Sequence, residues 1–80
     1  MSENGQKYLE IFKETLNVTE DEVKGLRYQA VESWDSVGHM ALIAAIEDAF
    51  DLMLDAEDII SFESYEKGME ILEKNYDIAF

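Results

Sequence analysis

Apolar positions recur at helical spacing in three stretches of the chain. In the first, Tyr8, Leu9, Phe12, Thr15 and Leu16 fall on one side of a helix, with Ile11 at its margin. Asn17 ends that periodicity, and a short N-terminal tail precedes it. The second stretch opens near Asp35-Ser36 and runs to about Phe50. At about 100° per residue, Leu42, Ile43, Ile46, Ala49 and Phe50 share one arc, which is predicted to face the core. The third begins at Ser64, a residue type suited to an N-cap, and carries Tyr65, Gly68, Met69, Leu72 and Tyr76 along one stripe. Gly68 inside that stripe costs roughly 1 kcal/mol relative to Ala; close approach of a neighbouring helix is the expected compensation. No Asn-Gly or Asp-Gly turn separates apolar runs, and no apolar/polar alternation is sustained, so strand signals are weak.

The connections hold smaller pieces. Asp55–Ile60 has room for one short helix. The long connection Asn17–Trp34 contains Thr19-x-x-Glu22, the pattern of a capping box, which allows a short helix there too. Val18, Val23, Leu26 and Tyr28 are its expected anchors. The prediction is an all-α fold, a small four-helix bundle of three long helices and one short one. A long loop joins the first two long helices, and one domain covers residues 1–80. Leu42, Ile46 and Phe50 are expected to bury against Phe12, Leu16, Met69 and Leu72.

Charge narrows the function. Nineteen acids against six bases give a formal net charge of −13. Such a surface repels nucleic-acid phosphates and anionic lipid headgroups. Disorder is countered by 48% hydrophobic content with four Phe, four Tyr and one Trp. The field is uneven: residues 47–77 hold eleven acids and two lysines. With no cysteine there is no disulfide, thiolate metal site or cysteine nucleophile. The polar start Met1–Gln6 is no signal segment. The longest apolar run, Met40–Ile46, is far short of the ~20 residues of a membrane span. A monomeric, cytoplasmic domain is expected.

Candidate chemistry is sparse. His39, the one histidine, lies three residues after Ser36, a spacing that permits a Ser–His pair on a helix. A hydrolase also needs an orienting acid, and Asp35 is adjacent to the serine and points elsewhere. A packed, structural histidine is the favoured reading. Asp48, Asp51, Asp55 and Asp58 lack the ligand spacing and central glycine of an EF-hand loop, so no metal site is expected. Ser36 follows a long loop and opens a helix, and taken alone it reads as an N-cap serine. Beside it Val37, Met40 and Ala44 form an apolar strip outside the core arc, continued by Glu47, Asp48 and Asp51. An apolar strip with a charged rim reads as a docking surface, although Val37 and Met40 can also pack beneath the loop.

These residues carry a resemblance. Asp35-Ser36-Val37 resembles the Asp-Ser-Leu motif of acyl carrier proteins, whose serine receives 4′-phosphopantetheine. The following Leu42-Ile43-Ala44-Ala45-Ile46-Glu47-Asp48-Ala49-Phe50-Asp51 is similar to that family's second helix. Ile59-Ile60-Ser61-Phe62-Glu63-Ser64-Tyr65 resembles its short third helix and the cap of its last one, and Tyr8–Leu16 with Val18 its first. Nearly the whole chain is covered.

The resemblance implies a bundle of the acyl-carrier type that is not itself an enzyme. It implies covalent 4′-phosphopantetheine on Ser36, with Asp35 shaping the turn and helping recognition by a phosphopantetheinyl transferase. Acyl-activating, acyltransferase or synthase enzymes of fatty-acid or lipid biosynthesis would dock on Val37, Met40 and Ala44, their basic patches meeting Glu47, Asp48 and Asp51. Gly38 and Ala41 stand where many fatty-acid-synthase carriers place acids, and Trp34 and His39 are similar to features of specialised, pathway-dedicated carriers. On this reading Asp at position 38 and Glu at position 41 should speed encounter with a general basic partner. The alternative is an acidic helical interaction module without a prosthetic group.

Overall fold

The computed structural model describes residues 2–80. Among these residues five helices follow one another: α1 (Glu3–Leu16), α2 (Glu20–Val23), α3 (Ser36–Phe50), α4 (Ala56–Ser61) and α5 (Tyr65–Tyr76). Among the described residues there is no strand, only an isolated antiparallel bridge between Arg27 and Ser64. The chain is all-α, with three long helices and two short ones rather than one. Among the described residues no helix is long and apolar enough to cross a membrane.

Local chemistry sets the helix ends. α1 starts earlier than its apolar spacing indicates, because the Ser2 hydroxyl accepts the Gly5 N–H at 3.0 Å and caps it. Residues 3–7, expected as a tail, are therefore helical; Met1 lies outside the described residues. Asn17 closes α1 in the left-handed conformation at φ 55°. The capping box of α2 is complete: Thr19 Oγ1 accepts from Glu22 N–H, and Glu22 Oε1 accepts from Thr19 N–H. Ser64 caps α5 by accepting the Lys67 N–H at 2.9 Å.

The core gathers the predicted faces. Tyr8, Leu9, Phe12 and Leu16 of α1, Leu42, Ile43 and Ile46 of α3, and Ile71 and Leu72 of α5 are buried, with Val18, Val23 and Leu26 from the long connection. Phe50 and Met69, expected inside, are half-buried and pack against its edge. Gly68 has the close approach that its place in a helix required. A Cβ there would run into the Tyr8 hydroxyl and the Phe62 ring, and the same hydroxyl donates to the Tyr65 carbonyl at 2.8 Å.

One aromatic side chain departs from expectation, and another takes its place in the core. Tyr28 is exposed rather than an anchor. Its backbone is the anchoring part: Tyr28 N–H donates to the Glu63 carbonyl and Tyr65 N–H to the Leu26 carbonyl. These bonds lash the long connection to the α4–α5 linker. Trp34 is fully buried, edge-on to Phe12 with centroids 5.4 Å apart. It supplies the core volume assigned to Tyr28 by sequence, and does so from the residue two before Ser36.

Candidate functional site

The start of α3 is built by the turn before it. Ser33 Oγ donates to the Leu16 carbonyl at 2.7 Å, and Trp34 N–H donates to the Val31 carbonyl, fastening the turn to the end of α1 and to itself. Asp35 is extended, and its Oδ1 accepts the Gly38 N–H at 2.8 Å. Asp35 is thus the N-cap and Ser36 the first helical residue, which corrects the reading of Ser36 as the cap. The reason is competition: only one side chain can satisfy the Gly38 N–H, and the aspartate one residue ahead holds it. Ser36 is exposed, and no side-chain hydrogen bond among the described residues uses its hydroxyl.

Gly38 completes the turn. A Cβ at this position would collide with the Ser33 carbonyl oxygen. The expectation that an acid can be placed at 38 is overturned by that contact; Ala41 is exposed and takes a longer side chain freely.

His39 is committed elsewhere. Its Nδ1 accepts from Trp34 Nε1 at 2.9 Å, and its Nε2 faces the Ile59 carbonyl at 2.8 Å. An indole N–H only donates and a carbonyl only accepts, so the pairing selects the Nε2–H tautomer. Neither nitrogen is left for Ser36, and the Ser–His pair does not form. The imidazole lies parallel to the indole, 17° between planes and 6.2 Å between centroids.

Between the start of α3 and the last turn of α4 lies a cavity of about 400 Å³. Ser36 and Met40 line it, with His39 and Tyr28, and α4 and its exit supply Ile59, Ile60, Phe62 and Glu63. Its wall is mainly apolar. Sequence reasoning brought Ser36, His39 and Met40 to this helix start but did not join to them Tyr28, eight residues before Ser36, or Ile59, Ile60, Phe62 and Glu63, 23–27 residues after it. The one sequence signal available was Ile59-Ile60, an apolar pair in an acidic stretch.

The proposed docking strip is largely at the surface. Val37 is 77% and Met40 53% exposed, so neither packs under the loop. Ala44, Asp48 and Asp51 are exposed as well. Ile60, 80% exposed, extends the apolar surface onto α4. Glu47 differs: it is half-buried and its Oε2 accepts the Leu54 N–H at 2.9 Å, holding the loop after α3. Asp51 closes α3 in the left-handed conformation. At that end Lys7 Nζ lies 5.1 Å over the Phe50 ring and donates to the Ala49 carbonyl, one cation set against the acidic end of the helix.

No family model, curated protein or solved structure matches this chain.

Proposed function

We propose that this chain is an acyl carrier, modified on Ser36 by 4′-phosphopantetheine and serving enzymes that supply the catalytic groups. The observation that carries the reading is an exposed serine with an unengaged hydroxyl at the first position of a long helix, on the rim of an apolar cavity. Asp35 holds the Gly38 N–H, which leaves the N–H groups of Ser36 and Val37 at the helix end for a phosphodiester. The residues present therefore fit the group. When attached, the arm supplies a thiol that carries acyl groups as thioesters.

The chain's own side chains have simpler work. Ser36 offers the attachment oxygen, Asp35 and Gly38 hold the turn, and the wall of Met40, Ile59, Ile60 and Phe62 shelters apolar matter from water. Val37, Met40 and Ala44 form the apolar part of a partner contact, while Asp48 and Asp51 steer basic partners, an effect on encounter rate more than on affinity. Glu47 contributes to that field while holding its own loop. The mainly short-range apolar rim, with no acid at 38 or 41, favours a dedicated acyl-activating or acyltransferase partner over general synthase enzymes.

The test is intact mass after incubation with CoA, Mg²⁺ and a promiscuous phosphopantetheinyl transferase. One added phosphopantetheine in the wild-type chain, absent in Ser36→Ala, is expected. No addition to the folded protein would leave an acidic interaction module in place of a carrier.

A further inference from the structure

Helix α4 forms part of the cavity wall yet buries none of its own residues. It has six residues, too few to be stable alone, and its N-cap Asp55 makes no side-chain cap bond. Ile59 packs half-buried against the edge of the core, and polar contacts hold the helix at two places. Near its start, Asp58 accepts from the Tyr76 hydroxyl at 2.6 Å and from Asn75 Nδ2 at 2.9 Å, and the Asp55 N–H donates to that same hydroxyl at 2.8 Å. Further along, the Ile59 carbonyl takes the His39 Nε2–H at 2.8 Å. The imidazole is pinned from behind by Trp34 Nε1–H, whose indole is fully buried and cannot follow it. A two-bond chain thus runs from the core, through one side chain of α3, to the part of α4 that carries Ile59 and Ile60.

We propose that His39 is a positioning residue that latches α4 over the cavity beside Ser36. Release of the bond to the Ile59 carbonyl lets the end of α4 move away, pivoting about the Asp58 contacts, and opens the cavity. As a control on what a group carried by Ser36 can enter, the latch rests on the carrier reading. The latch itself is a property of the unmodified chain and is tested there, so that its failure and a failure of Ser36 to be modified are separate results.

The experiment is amide hydrogen exchange by NMR on the full unmodified chain, native and with His39→Leu, His39→Asn and His39→Gln. The indole N–H resonance of Trp34, the one tryptophan, is followed alongside. In H39L the amides of Ile59, Ile60 and Ser61 are expected to exchange roughly five- to tenfold faster, the size of one lost hydrogen bond. The buried amides of α1 and α3 keep their native rates, and the indole resonance shifts. Asn retains an oxygen near Nδ1 but falls short of Ile59, so H39N should release α4 while leaving the indole paired; it decides the matter if H39L does not fold. Gln, long enough to offer an oxygen to the indole and an N–H to the carbonyl, should restore native rates. Native exchange at α4 in H39N, faster exchange spread evenly over α1, α3 and α4, or H39Q as fast as H39N would each overturn the latch.

Discussion

Asp35 Oδ1 accepts the Gly38 N–H at 2.8 Å, and this one bond makes Ser36 the first residue of α3 instead of its cap. A capping serine would spend its hydroxyl on the helix. Here the aspartate does so, and the serine oxygen beside it stays available.

Asp35→Ala should therefore cost about 0.5–2 kcal/mol of stability. It should also slow modification of Ser36, because Ser36 becomes the next candidate to cap the first turn. Asp35→Ser supplies another capping oxygen and should recover most of the stability. Thermal melts, with the rate of phosphopantetheine addition measured below the melting range, check both halves.

Gly38 is a second test of the same turn. Alanine is the better helix former by roughly 1 kcal/mol, yet a Cβ at 38 meets the Ser33 carbonyl. Gly38→Ala is expected to lower the melting midpoint, and Gly38→Asp to lower it further. Ala41→Glu, at an exposed site, should leave stability within about 0.5 kcal/mol of native. It should also raise the encounter rate with a basic synthase partner, a gain that shrinks as salt is added. A midpoint that rises in G38A would remove the steric account.

Tyr8 sets the alkaline limit. Burial, followed by the nearby Tyr65 and Glu66, pushes its phenol well above the ordinary value of 10.0. Burial and Glu66 also raise Tyr65. A group whose pKa is higher folded than unfolded contributes stability below its unfolded value, and that contribution disappears as pH rises through the folded one. Stability should therefore fall from about pH 10 upward. Tyr8→Phe removes the titration and should flatten that decline, at the cost of the bond to the Tyr65 carbonyl at lower pH. Urea midpoints from pH 8 to 11 for the two proteins give the comparison.

Screening is the last test. Eleven acids and two lysines between residues 47 and 77 repel one another in the compact state. Moderate salt should raise the melting midpoint. The three ion pairs among the described residues join exposed or half-exposed side chains three or four residues apart, at Lys13–Glu10, Lys67–Glu70 and Lys74–Glu70, and lose little to salt. A midpoint that stays flat or falls would show that self-repulsion is a minor contribution.

By itself the sequence determined what depends on near neighbours. The 3.6-residue spacing of Tyr8, Leu9, Phe12 and Leu16, and of Leu42, Ile43 and Ile46, marks which helix faces are buried, because the period fixes the face wherever the helix lies. Asn17, Thr19-x-x-Glu22 and Ser64 mark their ends through bonds spanning a few residues. Ser36 was legible as a helix-opening residue for the same reason. The tertiary structure alone decided what depends on distant partners. Asp35 and Ser36 are both able to cap, and the turn fixed by Ser33 on Leu16 and by the tight fit at Gly38 presents Asp35 to the helix. Trp34 enters the core and Tyr28 stays out because the connection is lashed to the α4–α5 linker, a pairing across 35 to 39 residues that no local pattern encodes. The cavity, and the role of His39 between an indole and the Ile59 carbonyl, arise where α3 and α4 meet. Side-chain hydrogen bonds and voids of that kind follow from the packing of whole elements, and exist only once the chain has closed on itself.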